Sequence, residues 1–165
     1  MTDQLLCDKE QTCSFSGHRQ LPTRELPRLR ARLKQEIVEL IDSGVTCFLA
    51  GGARGFDMLA AHTVLELQAQ FPQIRLTLAL PCPEQDRGWS AADRRQYREL
   101  LAAADAVIYT ADAYYQGCMQ TRNRFLIDHS CCCICYLTRS RGGTAYTAAY
   151  AEKRGVKLIR LADPA

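Results

Sequence analysis

The chain lacks any apolar run of the roughly 18 residues that a membrane-spanning helix requires, so the sequence excludes a transmembrane protein. The first ten residues carry Asp3, Asp8 and Glu10 and lack the apolar segment of a secretory signal. With 47% hydrophobic and 24% charged residues, intrinsic disorder is excluded as well. We therefore expect the 165 residues to form a single cytoplasmic domain, with a loose tail over residues 1–10.

The chain also has little excess of one charge over the other. The 21 basic and 18 acidic residues leave a net charge of +3, which is too little by itself to indicate a nucleic-acid-binding protein. The basic residues concentrate between Arg19 and Lys34, where Arg24, Arg28 and Arg32 recur every four positions. On a helix this spacing places them along one stripe, which indicates either a solvated face or a surface that contacts phosphates.

The cysteines lack the arrangement of a secreted disulfide framework, because there are nine of them and no secretory signal. Cys132 and Cys135 form a C-x-x-C pair, but in a strand they point to opposite faces, and no second pair stands at zinc-site spacing. His18, His62 and His129 share no common spacing. We therefore expect no metal site, and reduced cysteines that pack as small apolar side chains in a core strand.

Strand and helix patterns alternate along the sequence. Apolar residues at intervals of three and four predict five helices, over residues 25–43, 56–70, 91–103, 119–129 and 144–153. Short apolar runs predict six strands, over residues 11–16, 45–50, 74–80, 106–110, 131–137 and 156–161. Most of these runs are apolar throughout, as in a parallel sheet covered on both faces. The predicted fold class is therefore α/β, with a doubly wound, mostly parallel sheet in a Rossmann-like three-layer α/β/α domain.

Two glycine-rich segments follow predicted strands and open predicted helices, at residues 51–55 and 142–144. Ligands of doubly wound sheets bind beyond the carboxyl ends of the strands. Glycine lets the backbone approach a phosphate closely, and a helix N-terminus supplies N–H groups and a positive dipole end. Neither segment matches a P-loop or a G-x-G-x-x-G fingerprint. Because arginines accompany both segments, the sequence predicts an anionic, nucleotide-like ligand at this edge of the sheet.

The candidate ligand-binding residues come from the loops that follow the strands. We expect the glycines to allow close approach of the backbone, Arg122 and Asn123 to hold phosphate or ribose, and Gln85 and Trp89 to cover a base. Asp57, at the second position of a predicted helix, is favourable for the helix dipole. No catalytic residue and no metal ligand is assigned. The candidates are Gly17, His18, Arg19, Gly51, Gly52, Arg54, Gly55, Asp57, Gln85, Trp89, Arg122, Asn123, Gly142, Gly143 and Thr144.

Four segments, in this order, resemble the YpsA-like branch of the SLOG superfamily: residues 16–19, 51–57, 81–89 and 120–128. The resemblance extends from about residue 12 to about residue 161. It implies a Rossmann-like sheet that binds a nucleotide or a nucleotide-derived ligand, such as an NAD or ADP-ribose derivative, without a resident cofactor. It leaves the identity of the ligand and any reaction open.

In that superfamily, the LOG-type phosphoribohydrolases cleave the base from a nucleoside monophosphate and carry a G-G-x-G-T-x-E-E motif. Arg122 matches an arginine of these enzymes. Aligning residues 142–143 with their paired glycines places Ala148 and Ala149 where the glutamates stand. The resemblance therefore favours a nucleotide sensor or carrier over a hydrolase of the N-glycosidic bond, and it leaves open whether the chain is an enzyme.

Residues 55–62 also resemble the G-I-D-x-x-A-H segment of DprA, which loads a recombinase onto single-stranded DNA. Trp89, Tyr114 and Tyr115 provide rings on which bases could stack. The 165 residues do not include the additional domains of full-length DprA, and their net charge supports only modest affinity for nucleic acid. The expected partner is therefore a nucleotide-like small molecule rather than nucleic acid or a membrane, and a homodimer is left open.

Overall fold

The structure is a computed structural model that describes residues 5–139 and 141–162. Strands and helices alternate along these residues. The strands are β1 (Thr12–Gly17), β2 (Cys47–Ala50), β3 (Arg75–Leu80), β4 (Ala106–Tyr109), β5 (Cys132–Tyr136) and β6 (Lys157–Arg160). The α-helices are α1 (Leu26–Asp42), α2 (Phe56–Leu67), α3 (Ala91–Ala103), α4 (Cys118–Asp128) and α5 (Gly143–Lys153). Two short 3-10 helices precede β1 and α1, at Lys9–Gln11 and Thr23–Glu25.

The strands form one parallel sheet in the order β4-β3-β2-β1-β5-β6. β1 lies at its centre, where Cys13 is in register with Phe48 of β2 on one side and Cys132 of β5 on the other. The chain places β2 to β4 on one side of β1 and β5 and β6 on the other, so the switch point lies between β1 and β5. The predicted fold class is confirmed, and the sheet is entirely rather than mostly parallel.

The apolar spacing in α1 explains how this helix packs. Leu29, Leu33, Ile37 and Ile41 recur every four residues, and all are buried in the main core cluster. Gly44 follows the helix with a φ of +110°, a conformation that favours glycine just beyond a helix end. The helix therefore ends at this glycine, as the sequence predicts.

The strands contribute side chains to both faces of the sheet, because successive strand residues point in opposite directions. Phe48 packs in the cluster beneath α1 and α2, whereas Leu49 packs with Leu126 of α4 on the other face. In β5, Cys132 belongs to the first cluster and Cys135 lies among side chains of α4 and α5. The three-layer arrangement and the opposite orientation of the C-x-x-C pair are therefore as predicted.

The expectation of reduced cysteines is wrong at one pair. Cys7 and Cys47 are joined as a disulfide, with their Cα atoms 6.3 Å apart, and the other seven cysteines are free. The reason is that the segment before β1 runs beside the start of β2, where the Thr46 N–H donates to the Gln11 carbonyl at 3.0 Å. The same segment packs Leu6 against the cluster that contains Leu49 and Leu126. Residues 1–4 lie outside the described residues.

The basic stripe of α1 lies on the outside of the helix layer. Arg24 and Arg28 are exposed. The Arg32 guanidinium donates to the backbone carbonyls of Leu161 at 2.8 Å and Arg160 at 3.0 Å, which ties α1 to the end of β6. The stripe is therefore a solvated face with one structural arginine. No helix in the described part of the chain has the length and apolar character to cross a bilayer.

Candidate functional site

A large groove lies over the carboxyl ends of the strands at the switch point between β1 and β5, and we call it the carboxyl-edge groove. Its volume is about 1320 Å³. The loops that follow β1, β2 and β5, the segment before α4 and the first turns of α4 and α5 form its walls. The predicted residues that line it are Gly17, His18, Arg19, Arg54, Gly55, Asp57, Arg122, Asn123, Gly142, Gly143 and Thr144.

A second, smaller cavity adjoins the groove, and we call it the Trp89 cavity. Its volume is about 380 Å³. Five residues line both spaces, so a ligand that occupies one can extend into the other: Arg19, Ala53, Arg54, Tyr114 and Met119. The rest of the cavity wall comes from the loop after β3: Cys82, Glu84, Gln85, Arg87, Gly88 and Trp89.

The carboxyl-edge groove carries an excess of positive charge. Five arginines line it, and two of them, Arg139 and Arg141, are exposed residues of the loop between β5 and α5. The carboxylates that line it are those of Asp57 and Asp93. This imbalance attracts anions, and arginine holds carboxylate or phosphate groups with paired hydrogen bonds.

The N-terminus of α5 opens into this groove. Gly142 precedes the helix with a φ of +98°, and no side chain of the described residues caps the first turn. A Cβ atom added at Gly142 or Gly143 would meet no atom within 4 Å. The glycine pair therefore leaves free space beside a positive helix end, where backbone N–H groups can bind an anion.

The glycines of the first two loops serve a different purpose. A Cβ atom at Gly17 would lie 2.3 Å from the Phe56 ring. Gly55 has a φ of +82°, and a Cβ atom there would lie 2.2 Å from the Arg19 carbonyl oxygen. These glycines are required because the loop after β1 packs directly on the loop after β2, where the Phe56 N–H donates to the His18 carbonyl at 3.0 Å.

Gly51 and Gly52 line neither space and lie beneath the groove. A Cβ atom at Gly51 would lie 2.7 Å from Arg122 Nη1 and 2.9 Å from Asp57 Oδ2. At Gly52, where φ is +70°, a Cβ atom would lie 2.7 Å from a methyl group of Leu80. The close approach that the sequence predicts for these glycines is therefore present, but the approaching atoms belong to the protein.

Arg122 is 3% exposed and holds the loop after β2 against α4. Its Nη1 donates to the Gly51 carbonyl and, at 3.3 Å, to Gln85 Oε1, and its Nε donates to Asn123 Oδ1 at 2.9 Å. Gln85 Nε2 in turn donates to the Gly51 carbonyl at 3.3 Å and to the Tyr97 hydroxyl at 3.2 Å. Only Nη2 of Arg122, 3.9 Å from the Met119 sulfur, has no oxygen acceptor among the described residues. Arg122 and Gln85 are therefore largely occupied within the protein.

Asp57 brings a buried carboxylate to the floor of the groove. It is 7% exposed, and burial raises its pKa to about 6, although Arg122, the Ala53 N–H and Arg19 each lower it. None of the ion pairs within 4.0 Å among the described residues includes Asp57. The charge of Arg122 therefore offsets only part of the cost of burying this carboxylate.

His18 joins the loops that follow β1 and β5. Its Nε2 accepts a hydrogen bond from the Thr138 N–H at 2.8 Å, so the proton of the neutral ring is on Nδ1. Burial lowers the pKa of His18, and Arg139, whose Nη2 lies 3.4 Å from Nδ1, lowers it further. His18 is therefore a neutral side chain that positions the β5 loop.

Trp89 is fixed from two sides. Its indole ring meets the Tyr97 ring edge to face, with centroids 5.0 Å apart. The Arg54 guanidinium stands over the indole, 5.1 Å from the ring centroid, in a cation–π contact. Trp89 remains half-buried and lines its cavity, so it presents a positioned aromatic wall.

The structure brings the predicted residues to one edge, and it adds several that the sequence list omits. Arg139 and Arg141 precede Gly142, and their position between a strand and a glycine pair was a usable signal. Met119 and Glu84 join them at the edge, beside Tyr114, which the sequence offered as a ring for stacking bases. No spacing pattern marks Met119 and Glu84, because the topology of the sheet brings them there from separate segments.

Two solved structures of DNA processing protein A share this fold. The likeness to the Helicobacter pylori protein, described for its single-stranded DNA binding mode, has a TM-score of 0.67 and 21% identity. It covers 94% of this chain and 66% of that chain. The likeness to DprA from Streptococcus pneumoniae has a TM-score of 0.65 and 13% identity, and covers 92% of this chain and 50% of that chain. At these identities the likeness shows the fold alone, and the chain spans less than two thirds of either DprA chain.

Two relatives of similar length are more alike in sequence. The chain is 32% identical over 134 residues to UPF0398 protein BH1768 of Halalkalibacterium halodurans. The aligned region covers 79% of this chain and 71% of that protein. It is 31% identical over 149 residues to the uncharacterized SPbeta prophage-derived protein YoqJ of Bacillus subtilis. That alignment covers 79% of this chain and 87% of YoqJ.

The family model described as the YspA SLOG family matches residues 19–158. This range includes the loops after β2, β3 and β5 and the parts of α4 and α5 that line the carboxyl-edge groove, and it begins just after Gly17 and His18. The resemblance carried by the sequence motifs is thereby confirmed, and the chain belongs to the YspA SLOG family.

Proposed function

We propose that this chain binds a phosphorylated, nucleotide-derived small molecule in the carboxyl-edge groove and acts as a sensor or carrier of that molecule. One observation carries the proposal. The glycine pair at residues 142–143 leaves open space at an uncapped helix N-terminus, inside a groove lined by five arginines. A phosphate group there meets backbone N–H groups, the positive end of the α5 dipole and flexible guanidinium groups together.

The arginines nearest this space are free to bind. Arg141 is exposed and makes no hydrogen bond or ion pair among the described residues, and Arg139 is exposed with one long contact to His18. Arg122, in contrast, is largely occupied by the protein. We therefore assign phosphate contact to Arg139, Arg141 and the α5 backbone, and we assign to Arg122 the positioning of the loop after β2.

Binding without chemistry is favoured by the composition of α5. Its inward side carries Ala148, 4% exposed, at one of the positions where the resemblance to LOG-type enzymes would require glutamate. The carboxylate of α5, Glu152, pairs with Arg160 at 2.9 Å and does not line the groove, so no group of α5 within the groove stabilises positive charge on a sugar ring. The groove keeps the features for holding a phosphate and lacks this feature for cleaving the ligand.

The proposal is tested by titrating AMP, ADP-ribose and NAD into the protein at low salt by calorimetry. Arg141→Ala should weaken binding about 10-fold, the loss of one charge-assisted hydrogen bond. Gly143→Ala should weaken it about 5- to 150-fold, because the methyl group fills the space assigned to phosphate. The matched control is Arg28→Ala, which removes an exposed arginine from α1 and should leave binding unchanged.

Gly143→Ala separates a binding effect from a folding effect. The added methyl group meets no protein atom, and φ at Gly143 is not positive, so the variant should be as stable as the parent or more stable by about 0.5 kcal/mol. Unchanged affinity in both Gly143→Ala and Arg141→Ala would contradict the assignment of the phosphate to this helix end. Failure of every phosphorylated compound to bind would refute the function.

Single-stranded DNA is the second candidate ligand. The Helicobacter pylori neighbour is described as binding single-stranded DNA, and Tyr114 and Tyr115 stand 66% and 46% exposed at the rim of the groove. Under this alternative, an oligonucleotide that contacts about four phosphates should bind with a logarithmic salt slope of about −3. A slope near zero, with tight binding of a mononucleotide, would exclude it.

A hydrolase remains the third candidate because of Asp57, the buried carboxylate on the floor of the groove. A carboxyl group with a pKa of about 6 is suited to proton transfer near neutral pH. Incubation of each bound nucleotide with the protein, followed by chromatography for free base, decides the question. If the protein releases free base and Asp57→Asn abolishes the release, the protein is an enzyme rather than a sensor.

A further inference from the structure

We propose that the Trp89 cavity is a base-binding subsite, which takes a nucleobase that carries an exocyclic amino group while the phosphate lies at the N-terminus of α5. The inference rests on the proposed function, since it assigns the other end of the same ligand. It also names a chemical class, an amino-substituted heteroaromatic base, that the groove alone does not specify.

Continuity between the two spaces is the first argument. Arg19, Arg54 and Tyr114 line both the Trp89 cavity and the carboxyl-edge groove. The cavity, at about 380 Å³, falls at the lower end of the range for small-molecule sites and is mostly walled by apolar and aromatic atoms. Arginines line both spaces, but the surface exposed in the cavity is mostly apolar, whereas that exposed in the groove is more polar than apolar. A ligand with a flat apolar end and an anionic end matches this division.

The aromatic wall is positioned before any ligand arrives. Trp89 meets Tyr97 in a T-shaped contact, and the Arg54 guanidinium stands over the indole ring. A guanidinium plane stacks on aromatic rings, so a base can extend this stack on Arg54 or take the place of Arg54 on the indole. Met119 and the 66% exposed Tyr114 also line the cavity.

Glu84 supplies the preference for an amino group. Gln85, which the sequence assigned to cover the base, is committed to Gly51, Tyr97 and Arg122 and has no free polar atom for a ligand. Glu84 is exposed at the cavity wall and forms no ion pair within 4.0 Å among the described residues. A carboxylate only accepts hydrogen bonds, so it favours a base that donates from an amino group and disfavours one with a carbonyl there.

Because Trp89 is the single tryptophan of the chain, its fluorescence reports directly on this cavity. The experiment titrates ribose 5-phosphate, IMP and AMP into the unmodified protein, with calorimetry for affinity and tryptophan emission for occupancy. The base should improve affinity over ribose 5-phosphate about 5- to 150-fold, the worth of one stacked base. AMP should bind about 10-fold more tightly than IMP. IMP and AMP should change the emission, and ribose 5-phosphate should not.

Glu84→Ala tests the amino-group preference without risk to the fold, because the side chain is exposed. It should abolish the difference between AMP and IMP, because AMP loses the acceptor for its amino group and the IMP carbonyl is no longer repelled. Glu99→Ala, which removes an exposed glutamate from α3, is the matched control and should preserve the difference.

The outcomes separate the two proposals. If ribose 5-phosphate, IMP and AMP bind equally and none changes the emission, the base subsite is overturned while the phosphate site stands. If none of the three binds, the proposed function is overturned and the subsite with it. If only a single-stranded oligonucleotide changes the emission, the cavity takes a base of nucleic acid, and the assignment to a mononucleotide is wrong.

Discussion

Replacing Asp57 with asparagine should make the protein more stable at neutral pH. Burial raises the pKa of this carboxyl from its ordinary value of 3.8 to about 6, and nearby positive groups offset only part of the shift. An acid whose pKa rises on folding weakens the fold wherever it is ionised. The asparagine side chain has nearly the same shape as the protonated acid and carries no charge, so Asp57→Asn removes this cost.

The size and the pH range of the effect follow from the two pKa values. Each pH unit between them corresponds to about 1.36 kcal/mol, so the ionised carboxylate costs about 3 kcal/mol. Below pH 3.8 the group is protonated in both the folded and unfolded states and the cost vanishes. The cost grows between pH 3.8 and about 6 and is fully present above that range. For a chain of this length the variant should melt roughly 6–12 °C above the parent at pH 7.5.

Thermal and urea unfolding of the parent and Asp57→Asn at several pH values between 4 and 8 measure this difference. Asp112→Asn, at an exposed loop position, is the control and should change the free energy of unfolding by less than about 0.5 kcal/mol. A variant that is less stable than the parent by the same amount at every pH would refute the reasoning. That result would mean that the charge of Arg122 fully offsets the free-energy cost of burying the ionised Asp57 carboxylate. A gain in stability, in contrast, marks a residue kept for binding or chemistry rather than for folding.

Three further predictions concern the fold. Gly17→Ala should destabilise the protein by about 1–3 kcal/mol or prevent folding, because its methyl group would overlap the Phe56 ring; urea unfolding measures this. Arg32→Ala should cost about 1–3 kcal/mol of stability through two lost hydrogen bonds to carbonyls, whereas Arg28→Ala should cost almost nothing. Cys7→Ser should lower the free energy of unfolding by about 2–4 kcal/mol, and dithiothreitol should lower the melting temperature of the parent but not of this variant.

The order of the elements could be predicted because local patterns determine it. The predicted helix over residues 91–103 matches α3 at both ends, where Ser90 accepts a hydrogen bond from the Asp93 N–H and caps the first turn. The uniformly apolar run of β5 identified a strand buried on both faces. The Cys7–Cys47 pair could not be predicted in the same way. It depends on how the segment before β1 crosses the start of β2, and no local pattern encodes that crossing.

The edge that holds the candidate site could also be predicted, since parallel strands bring their carboxyl ends together. What each side chain does there could not. Arg122 and Gln85 look like ligand-binding residues in the sequence, yet their donors and acceptors are used on Gly51 and Tyr97. Those partners lie far away along the chain, so only the tertiary structure shows that these polar groups are already satisfied.

A glycine in a loop indicates that some group comes close to the backbone, but it does not identify the group. At Gly17, Gly51 and Gly55 the approaching atoms belong to the protein, whereas at Gly142 and Gly143 the space is empty. An alanine in the first set must therefore move protein atoms and costs stability. An alanine at Gly143 meets nothing in the free protein, so any loss that it causes must appear in the affinity for a ligand, whereas an alanine at Gly142 is also strained by the φ of +98°. The same residue type thus supports the fold at three positions and leaves room for a ligand at two, and melting temperature measured beside affinity separates them.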